Sequence, residues 1–208
     1  MLAAPLVAAP ACLFVIPEPQ ATVGSPDVVD DANAPDVVDG FDSNEGGAPN
    51  IIFNGNFDTA ACDGWVAYNA TITPATTARS GSTSCKVCRV PGAADTFFSF
   101  YPTFGSPSAV KSLPAGRYTG EVWVRKAPGA PDLTGTFLNG NFIDTLDNVV
   151  FFTEGGHQSP TDAWTRLGVI FEKPIADADS LALSMSVNSV TTVDSCILVD
   201  DLSVRLNN

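Results

Sequence analysis

Three segments in the second half of the chain alternate between apolar residues and small or polar ones. In residues 181–187, LALSMSV, every odd position is apolar and every even position is Ala or Ser. In residues 118–125, YTGEVWVR, and 165–171, TRLGVIF, the apolar residues of one side are likewise two apart. Because a period of two places alternate side chains on opposite faces, each segment is predicted to be a β-strand with one apolar face.

Similar segments recur from residue 50 almost to the end of the chain, separated by turns rich in Gly and Pro. The sequence predicts strands at 51–57, 65–71, 84–90, 96–101, 116–126, 149–153, 164–172, 180–187 and 195–206. No window predicts a helix of ten residues or more. Short strands in this number predict an all-β domain over residues 50–208, an antiparallel β-sandwich or jelly roll.

The first 16 residues, MLAAPLVAAPACLFVI, carry no charge. They are too few for a spanning helix, which needs about 20 apolar residues, and they suit the apolar part of an export signal, although no basic residue precedes them. Cys12 follows Ala9-Pro10-Ala11 and resembles the lipidated Cys of the bacterial lipoprotein lipobox. Lipid anchoring at Cys12, plain secretion and a structural segment all stay open, and the expected location is the cell envelope or the extracellular space.

Residues 17–49 are predicted to be a disordered acidic linker. They contain a tandem repeat, PDVVDDANA at 26–34 and PDVVDGFDS at 35–43, without apolar periodicity. Such a segment buries too little surface to offset the entropy of ordering it. A solvated spacer is the favoured interpretation, and a repeat that binds calcium or a partner is the alternative.

The charge of the chain excludes two classes of partner. The formal net charge is −13, and no Lys or Arg precedes Arg79. A chain without a basic cluster in its sequence is a poor candidate for nucleic acid, whose phosphates are neutralised by Lys and Arg. It is equally poor for anionic lipid, so membrane contact is expected only through an N-terminal lipid.

Four of the five cysteines lie in the predicted domain: Cys62, Cys85, Cys88 and Cys196. In an exported protein an even set predicts two disulfides. Cys85 and Cys88 are three apart on a predicted strand and point to opposite faces, so each is expected to pair with Cys62 or Cys196. We prefer Cys62–Cys85 and Cys88–Cys196, with a zinc site or a redox motif at 85–88 as the alternatives.

Four motifs follow one another in the order of a known family. They are NIIFNGNFD at 50–58, with Gly64-Trp65 soon after, ARSGSTSCKV at 78–87, PAGRYTGEVWVR at 114–125 and VDDLSV at 199–204. Together they resemble the jelly-roll carbohydrate-binding modules typified by cellulose- and xylan-binding modules. The resemblance spans about residues 50–206, and it implies a jelly roll that binds a polysaccharide or surface glycan without catalysing a reaction.

The resemblance also implies a structural calcium ion between the opening and closing segments. The matching residues are Asp58, where the family usually has Glu, and Asp200. Backbone oxygens near Ser80-Gly81 would complete an oxygen shell of the kind that calcium prefers. The alternative is that Asp58 caps a turn and Asp200 forms a buried hydrogen bond.

Carbohydrate contact needs aromatic faces for the apolar side of a sugar ring and polar groups for its hydroxyls. In the prediction, Trp123 lies opposite the apolar residues of its strand, and Phe98 and Tyr101 lie where the family often places a binding aromatic. The predicted carbohydrate-binding residues are Trp123, Tyr101, Phe98, Glu121 and Arg125. Trp65 follows a Gly and is assigned to the core. Packing in the core is also the alternative for Trp123, Phe98 and Tyr101.

Two short segments of the domain are similar, FNGNF at 53–57 and LNGNF at 138–142. The similarity is interpreted as shared turn chemistry, because Asn-Gly favours tight turns.

Catalysis finds little support in the sequence. The single histidine, His157, lies in a loop near Ser159 and Asp162, without the G-x-S-x-G turn that presents a serine nucleophile. The hypotheses are therefore a carbohydrate-binding module, a structural or adhesive surface domain without a sugar site, and remotely a hydrolase.

Overall fold

The computed structural model describes residues 48–52, 54–102, 110–111, 114–143, 149–173 and 182–207. The predicted targeting segment 1–16, with Cys12, and nearly all of the predicted linker lie outside these residues. Within the described part of the chain there are eleven strands and no helix: β1 (Trp65–Tyr68), β2 (Ala70–Ala75), β3 (Ser84–Arg89), β4 (Phe97–Pro102), β5 (Val110–Lys111), β6 (Gly116–Lys126), β7 (Thr134–Ile143), β8 (Val149–Glu154), β9 (Thr165–Lys173), β10 (Ala182–Val190) and β11 (Cys196–Leu206). No described segment therefore forms a helix that could cross a membrane.

The strands form two antiparallel sheets. The first sheet has the order β1-β4-β10-β7-β8, with β5 also paired to β10, and the second has the order β2-β3-β11-β6-β9. The apolar residues of both sheets meet in one core. The predicted all-β sandwich is confirmed, and the crossing of the chain between the two layers is what an antiparallel sandwich requires.

Alternation along β6 shows how the core is made. Tyr118, Val122 and Val124 are buried, as is Gly120, while Thr119, Glu121 and Trp123 between them are partly exposed. The hydroxyl of Tyr118 donates a hydrogen bond to the Pro114 carbonyl at 2.6 Å, so its one polar atom is satisfied. Strand β9 repeats the pattern with Leu167. The period of two in the sequence therefore marks the buried face of these strands.

An aromatic cluster fills one end of the core. Trp65, at the start of β1, stacks on Phe100 with ring centroids 4.7 Å apart, and Phe57 packs edge-on against both rings. Phe57 and Phe100 are fully buried and Trp65 is 6% exposed. The assignment of Trp65 to the core is confirmed.

The predicted strand at 51–57 is wrong for the residues described there. The backbone turns instead, with positive φ at Asn54 (51°) and Phe57 (58°). Gly55 lies against β11, where an added Cβ would come 1.9 Å from the Leu202 carbonyl oxygen. Asn and Gly in succession favour a turn over an extended strand, and only Gly allows this close approach.

The predicted strand at 65–71 is divided between the two sheets. It breaks at Asn69, which has a φ of 52°, a conformation that Asn tolerates better than most residues. The Asn69 amide donates to the Asp95 carboxylate at 3.1 Å. Strand β1 therefore joins the first sheet and β2 the second.

Strand β7 was not predicted, and the turn proposed at 138–142 is wrong. These residues form the middle of β7, between β10 and β8. Leu138 and Phe142 face the core, and a Cβ at Gly140 would come 3.1 Å from the Phe171 ring. Gly140 makes room for that ring, so packing between the sheets decides the conformation of a segment whose local sequence favours a turn.

Two disulfides link the cysteines in the pairing that the sequence analysis preferred. Cys62–Cys85 joins the segment before β1 to β3, with a Cα–Cα distance of 5.7 Å. Cys88 and Cys196 lie directly opposite each other on β3 and β11, with Cα atoms 4.1 Å apart. The first bond ties the segment before β1 to the second sheet, and the second bond lies within the second sheet.

Candidate functional site

The five predicted carbohydrate-binding residues lie in three different parts of the sandwich. Tyr101 lies on the outer face of the first sheet. Trp123, Glu121 and Arg125 alternate with core residues on β6 and lie on the outer face of the second sheet. Phe98 is in the core. They therefore cannot line a single surface.

Phe98 is a correction. Its side chain is fully buried, so it offers no surface to a ligand. Along β4 the core takes Phe98 and Phe100, and the outer face takes Phe97, Ser99 and Tyr101. In a strand that carries three Phe in four positions, composition does not tell which face is buried.

Trp123 is covered on one ring face. The guanidinium carbon of Arg79 lies 3.8 Å from the ring centroid, a cation–π contact. Arg79 is held there by Asp201, whose Oδ2 accepts from Nη1 at 2.7 Å. Glu121 accepts from Arg166 at 3.3 Å. Arg79 therefore covers one of the two ring faces on which a sugar could stack, and Glu121 already accepts a hydrogen bond.

The outer face of the first sheet combines polar groups and aromatic rings. We call it the first-sheet face. Ser184 lies opposite Asn141, Ser186 opposite Asn139, and Asn188 opposite Ser99 on one side and Phe137 on the other. Its central residues form a polar strip: Ser99, Asn139, Asn141, Ser184, Ser186 and Asn188. Except for Asn141, each is at most 8% exposed, because these short side chains lie low between larger neighbours.

Asn139 has an unsatisfied acceptor in the middle of this strip. Its side chain is 7% exposed, and its Oδ1 has no hydrogen-bond partner among the residues that the structure describes. An unpaired buried acceptor lowers stability by about 1–3 kcal/mol. A hydroxyl donated by a ligand would satisfy it. Ser186 and Glu154 lie directly opposite Asn139 on the neighbouring strands, so further polar groups surround the same point.

Aromatic rings stand on both sides of the polar strip. On the side of β1 and β4, Tyr68 stacks on Phe97 with centroids 5.3 Å apart, and Tyr101 points outward from the same strand as Phe97. On the other side, Phe137 points outward from β7 and Phe152 from β8. Tyr68, Phe97 and Phe152 are 43%, 40% and 51% exposed. Exposed rings of this kind favour a binding surface over a solvated one.

One hydrogen bond to a carboxylate lies at each border of the aromatic residues. The hydroxyl of Tyr68 donates to Asp95 at 2.5 Å, which raises the pKa of Tyr68 and lowers the pKa of Asp95. On the other side a ring nitrogen of His157 forms a hydrogen bond with the carboxylate of Glu154. The His157 ring also stacks on Phe137, with centroids 4.4 Å apart.

Sequence reasoning missed Asn139, Phe137 and His157 as parts of one surface. The signal for the strip was present in residues 182–188, where Ser, Ser and Asn alternate with Leu, Met and Val. A strand that shows only small polar groups outward is compatible with a hydroxyl-binding surface as well as with a solvated one. The described contacts of His157 connect it to Glu154 and Phe137, not to Ser159 or Asp162.

Asp58 forms the hydrogen bonds of a turn cap. Its Oδ1 accepts from the backbone N–H of Ser82 at 2.7 Å and of Thr83 at 3.1 Å, and from the Ser82 hydroxyl at 3.2 Å. The bond from the Ser82 N–H contributes most to lowering the pKa of Asp58. Gly81 allows this packing, since a Cβ there would lie 1.7 Å from Asp58 Oδ2.

Asp200 accepts hydrogen bonds from the same connection between β2 and β3. It is fully buried, and its Oδ2 accepts from the N–H groups of Arg79 at 2.7 Å and Ser80 at 3.4 Å. Oδ1 accepts from the Asp201 N–H at 2.8 Å. Burial raises the pKa of Asp200 to about 6, although these N–H groups favour the carboxylate.

These hydrogen bonds do not fit a calcium site well. Calcium takes six to eight oxygen ligands, whereas Asp58 Oδ1 and Asp200 Oδ2 accept from backbone N–H groups of the β2–β3 connection and Asp200 Oδ1 accepts from the Asp201 N–H. Among the described residues no three acidic, His or Cys side chains converge on a point. The geometry favours the alternative of a turn cap and a buried hydrogen bond, and calcium stays a prediction without structural support.

Comparisons with solved structures show which known proteins share this sandwich. The first family-22 xylan-binding domain of Paenibacillus barcinonensis Xyn10C superposes with a TM-score of 0.55 at 15% identity, over 73% of this chain and 91% of that one. The C-terminal family-22 carbohydrate-binding module of Clostridium thermocellum Xyn10B gives a TM-score of 0.54 at 13% identity, over 76% and 95%. This fold is therefore that of carbohydrate-binding jelly rolls.

Some similar structures are parts of larger enzymes. An α-L-arabinofuranosidase, MgGH51, matches with a TM-score of 0.54 at 16% identity, over 78% of this chain but only 27% of that one. No family model matches the sequence, and no curated protein matches it. At these identities the likeness establishes the fold, and the ligand has to be argued from the residues.

Proposed function

We propose that this chain is a non-catalytic carbohydrate-binding module whose binding surface is the first-sheet face. The observation that carries the proposal is the polar strip around Asn139, with its unsatisfied Oδ1, between two groups of aromatic rings. Amide and hydroxyl groups match sugar hydroxyls, and ring faces match the apolar side of a pyranose. The structural similarity to xylan-binding modules supports the same assignment.

The extent of the face favours a polysaccharide over a single sugar. Tyr101 on β4 and Phe152 on β8 are separated by three strand spacings, or about 14 Å between the strands at roughly 4.8 Å each. Rings that far apart contact different sugars of one chain. The strip between them offers Ser186 and Asn139 to the hydroxyls in the middle.

Export belongs to the same proposal. Two disulfides form stably only in an oxidising compartment, and residues 1–16 have the composition of an export signal. A lipid on Cys12 would hold the module at the cell envelope. Mass spectrometry of the protein recovered from its native host would test this point, since a mature N-terminus beyond residue 12 excludes the anchor.

Affinity electrophoresis tests the binding surface. The full chain is run through gels that contain a soluble neutral polysaccharide: xylan, galactan, glucomannan or a mixed-linkage glucan. We expect retardation by at least one of them. Tyr101→Ala and Phe152→Ala should each reduce it, because each removes a ring from the face.

Ile170→Ala is the matched control. Ile170 is 53% exposed on the other sheet, so its loss removes a similar apolar surface outside the proposed site. If no neutral glycan retards the chain, the domain is better described as a structural or adhesive one. If Ile170→Ala weakens binding as much as Tyr101→Ala, the ligand is not held by the first-sheet face. Release of reducing ends from any of the glycans would contradict the non-catalytic assignment.

A further inference from the structure

The basic residues of the chain are divided unequally between the two sheets. The strands of the second sheet contain eight of the ten: Lys86, Arg89, Arg117, Arg125, Lys126, Arg166, Lys173 and Arg205. The strands of the first sheet contain only Lys111, in β5. Folding therefore creates a basic surface that the sequence does not show as a cluster.

Five of these residues lie on the outer face of the second sheet, which we call the second-sheet face. Each is adjacent in sequence to a buried core residue and so points away from the core: Lys86, Arg117, Arg125, Arg166 and Arg205. Arg166 is paired with Glu121. For the other four, no ion pair is seen within the described residues.

One row across the second-sheet face combines two of these basic side chains with an aromatic ring. Leu198 of β11 lies directly opposite Lys86 on one side and Arg125 on the other. Although it points outward, Leu198 is only 1% exposed, as expected when the aliphatic stems of long basic side chains cover it. The Arg125 guanidinium lies 5.9 Å from the centre of the Trp164 ring at the end of the row.

Arg125 retains an unsatisfied donor. Its Nε is buried and has no hydrogen-bond partner in the described part of the chain. Beside Lys86 the row continues into a pocket of about 250 Å³ lined by Pro128, Pro131 and the disulfide residue Cys196. Asp194 also lines this pocket, and its carboxylate is paired with Arg89 at 3.1 Å. The row therefore has two cations, an aromatic ring and a concave end.

We propose that the row Lys86–Leu198–Arg125–Trp164 is a second binding site, for a polysaccharide that carries carboxylate groups. Lys86 and Arg125 would hold the carboxylates, since charge-assisted hydrogen bonds are the strong ones. The Trp164 ring would pack against a sugar ring. The Cα atoms of the two cations are about 10 Å apart, two strand spacings, so each meets a different acidic group.

The distribution of charge favours an acidic polysaccharide over a nucleic acid. Two further cations beside Trp123 are already engaged, Arg79 by Asp201 and Arg166 by Glu121. Only two cations of the row stay available, whereas nucleic-acid binding rests on neutralising many phosphates at once. A polymer with one negative charge per sugar matches a pair of cations that stand apart.

Retardation of the full chain by polygalacturonate tests the proposal. We expect retardation at low salt, and we expect Lys86→Ala/Arg125→Ala to weaken the apparent affinity at least about tenfold, as the loss of one charge-assisted hydrogen bond alone would do. Arg117→Ala/Arg205→Ala is the control, because it changes the net charge equally at the far end of the same face. Tyr101→Ala should leave this binding intact.

Four results would overturn the proposal. They are no retardation by polygalacturonate, an equal loss of affinity in the two double variants, full retention in Trp164→Ala, and equal retardation of all variants by single-stranded DNA and polygalacturonate. The last result would identify a general attraction for polyanions. Near-ultraviolet circular dichroism of each variant confirms that the aromatic core is intact, so a loss of binding is not a loss of folding.

Discussion

The imidazole of His157 lies on the ring of Phe137, with the two ring centroids 4.4 Å apart. His157 is reached from β8 by a short connection, and Phe137 belongs to β7, so the contact depends on the pairing of these strands. The contact places the His157 imidazole beside Phe137 on the first-sheet face, and the hydrogen bond with Glu154 holds it there.

Replacing His157 tests whether this ring contributes to glycan binding. We expect His157→Ala to lower the affinity for the neutral glycan about three- to tenfold, the usual value of one aromatic contact. His157→Phe should retain most of the affinity, because it keeps the ring although it removes the hydrogen bond with Glu154. Calorimetric titration measures both affinities. If the two variants lose affinity equally, the hydrogen bond matters for binding and the stacking does not.

Asp200 should give the fold an unusual pH dependence. Burial raises its pKa from 3.8 to about 6 in the folded state, so the folded protein binds this proton more tightly than the unfolded chain between pH 4 and 6. Lowering the pH through that window should therefore raise the free energy of unfolding, by about 2–3 kcal/mol. Urea unfolding at pH 7 and pH 4 measures the difference.

Asp200→Asn is the control for this prediction, because an amide does not titrate. Its stability is expected to be lower at all pH values, since an amide cannot accept as many N–H groups, but the difference between pH 7 and pH 4 should shrink. Asp58 and Asp95 act in the opposite direction, because their pKa values are lowered and protonation below about pH 4 removes their contribution. An equal pH dependence in the variant would mean that Asp200 is not its source.

The two disulfides should contribute unequally to stability. Cys88 and Cys196 are 108 residues apart and Cys62 and Cys85 only 23. In the loop-entropy description a crosslink over about 100 residues stabilises by about 4–5 kcal/mol, and one over about 20 residues by about 3 kcal/mol. Cys88→Ala/Cys196→Ala should therefore lower the free energy of unfolding more than Cys62→Ala/Cys85→Ala does. If urea unfolding gives the reverse order, the Cys62–Cys85 disulfide stabilises the fold by more than the entropy of its loop.

Calcium can be tested directly against the hydrogen bonds of Asp58. If the carboxylate caps the turn at Ser82 and Thr83, millimolar calcium should leave the melting temperature unchanged and EDTA should have no effect. Asp58→Ala should lower the free energy of unfolding, because the backbone N–H groups of Ser82 and Thr83 lose their acceptor. A rise in melting temperature with calcium that Asp58→Asn abolishes would establish the metal site instead.

The sequence predicted the strands whose two faces differ strongly. Strand β6 has the predicted bounds, and β9 and β11 begin and end within one residue of theirs. In β6 and β9 apolar residues that face the core alternate with outward-facing ones. Strand β7 escaped prediction because Asn-Gly-Asn has a strong local preference for turns, which packing of Gly140 against Phe171 overrides.

The candidate site was harder to predict from the sequence than the fold. Tyr101 points away from the core on the first sheet, whereas Trp123 points outward from the opposite sheet. Which outward face a residue joins depends on the strand order, and β6 and β4 are not neighbours in any pairing. The unsatisfied oxygen of Asn139 depends on three-dimensional neighbours and has no signature in the sequence.

The segregation of basic side chains into one layer has a consequence for how the domain would sit in a polymer matrix. A molecule attached through Lys86 and Arg125 to an acidic chain would turn Tyr101 toward the opposite side, free to take up a neutral one. With both surfaces occupied, one small sandwich would act as a crosslink between two chemically different glycans, and its contribution would be to the cohesion of the matrix as much as to its own retention.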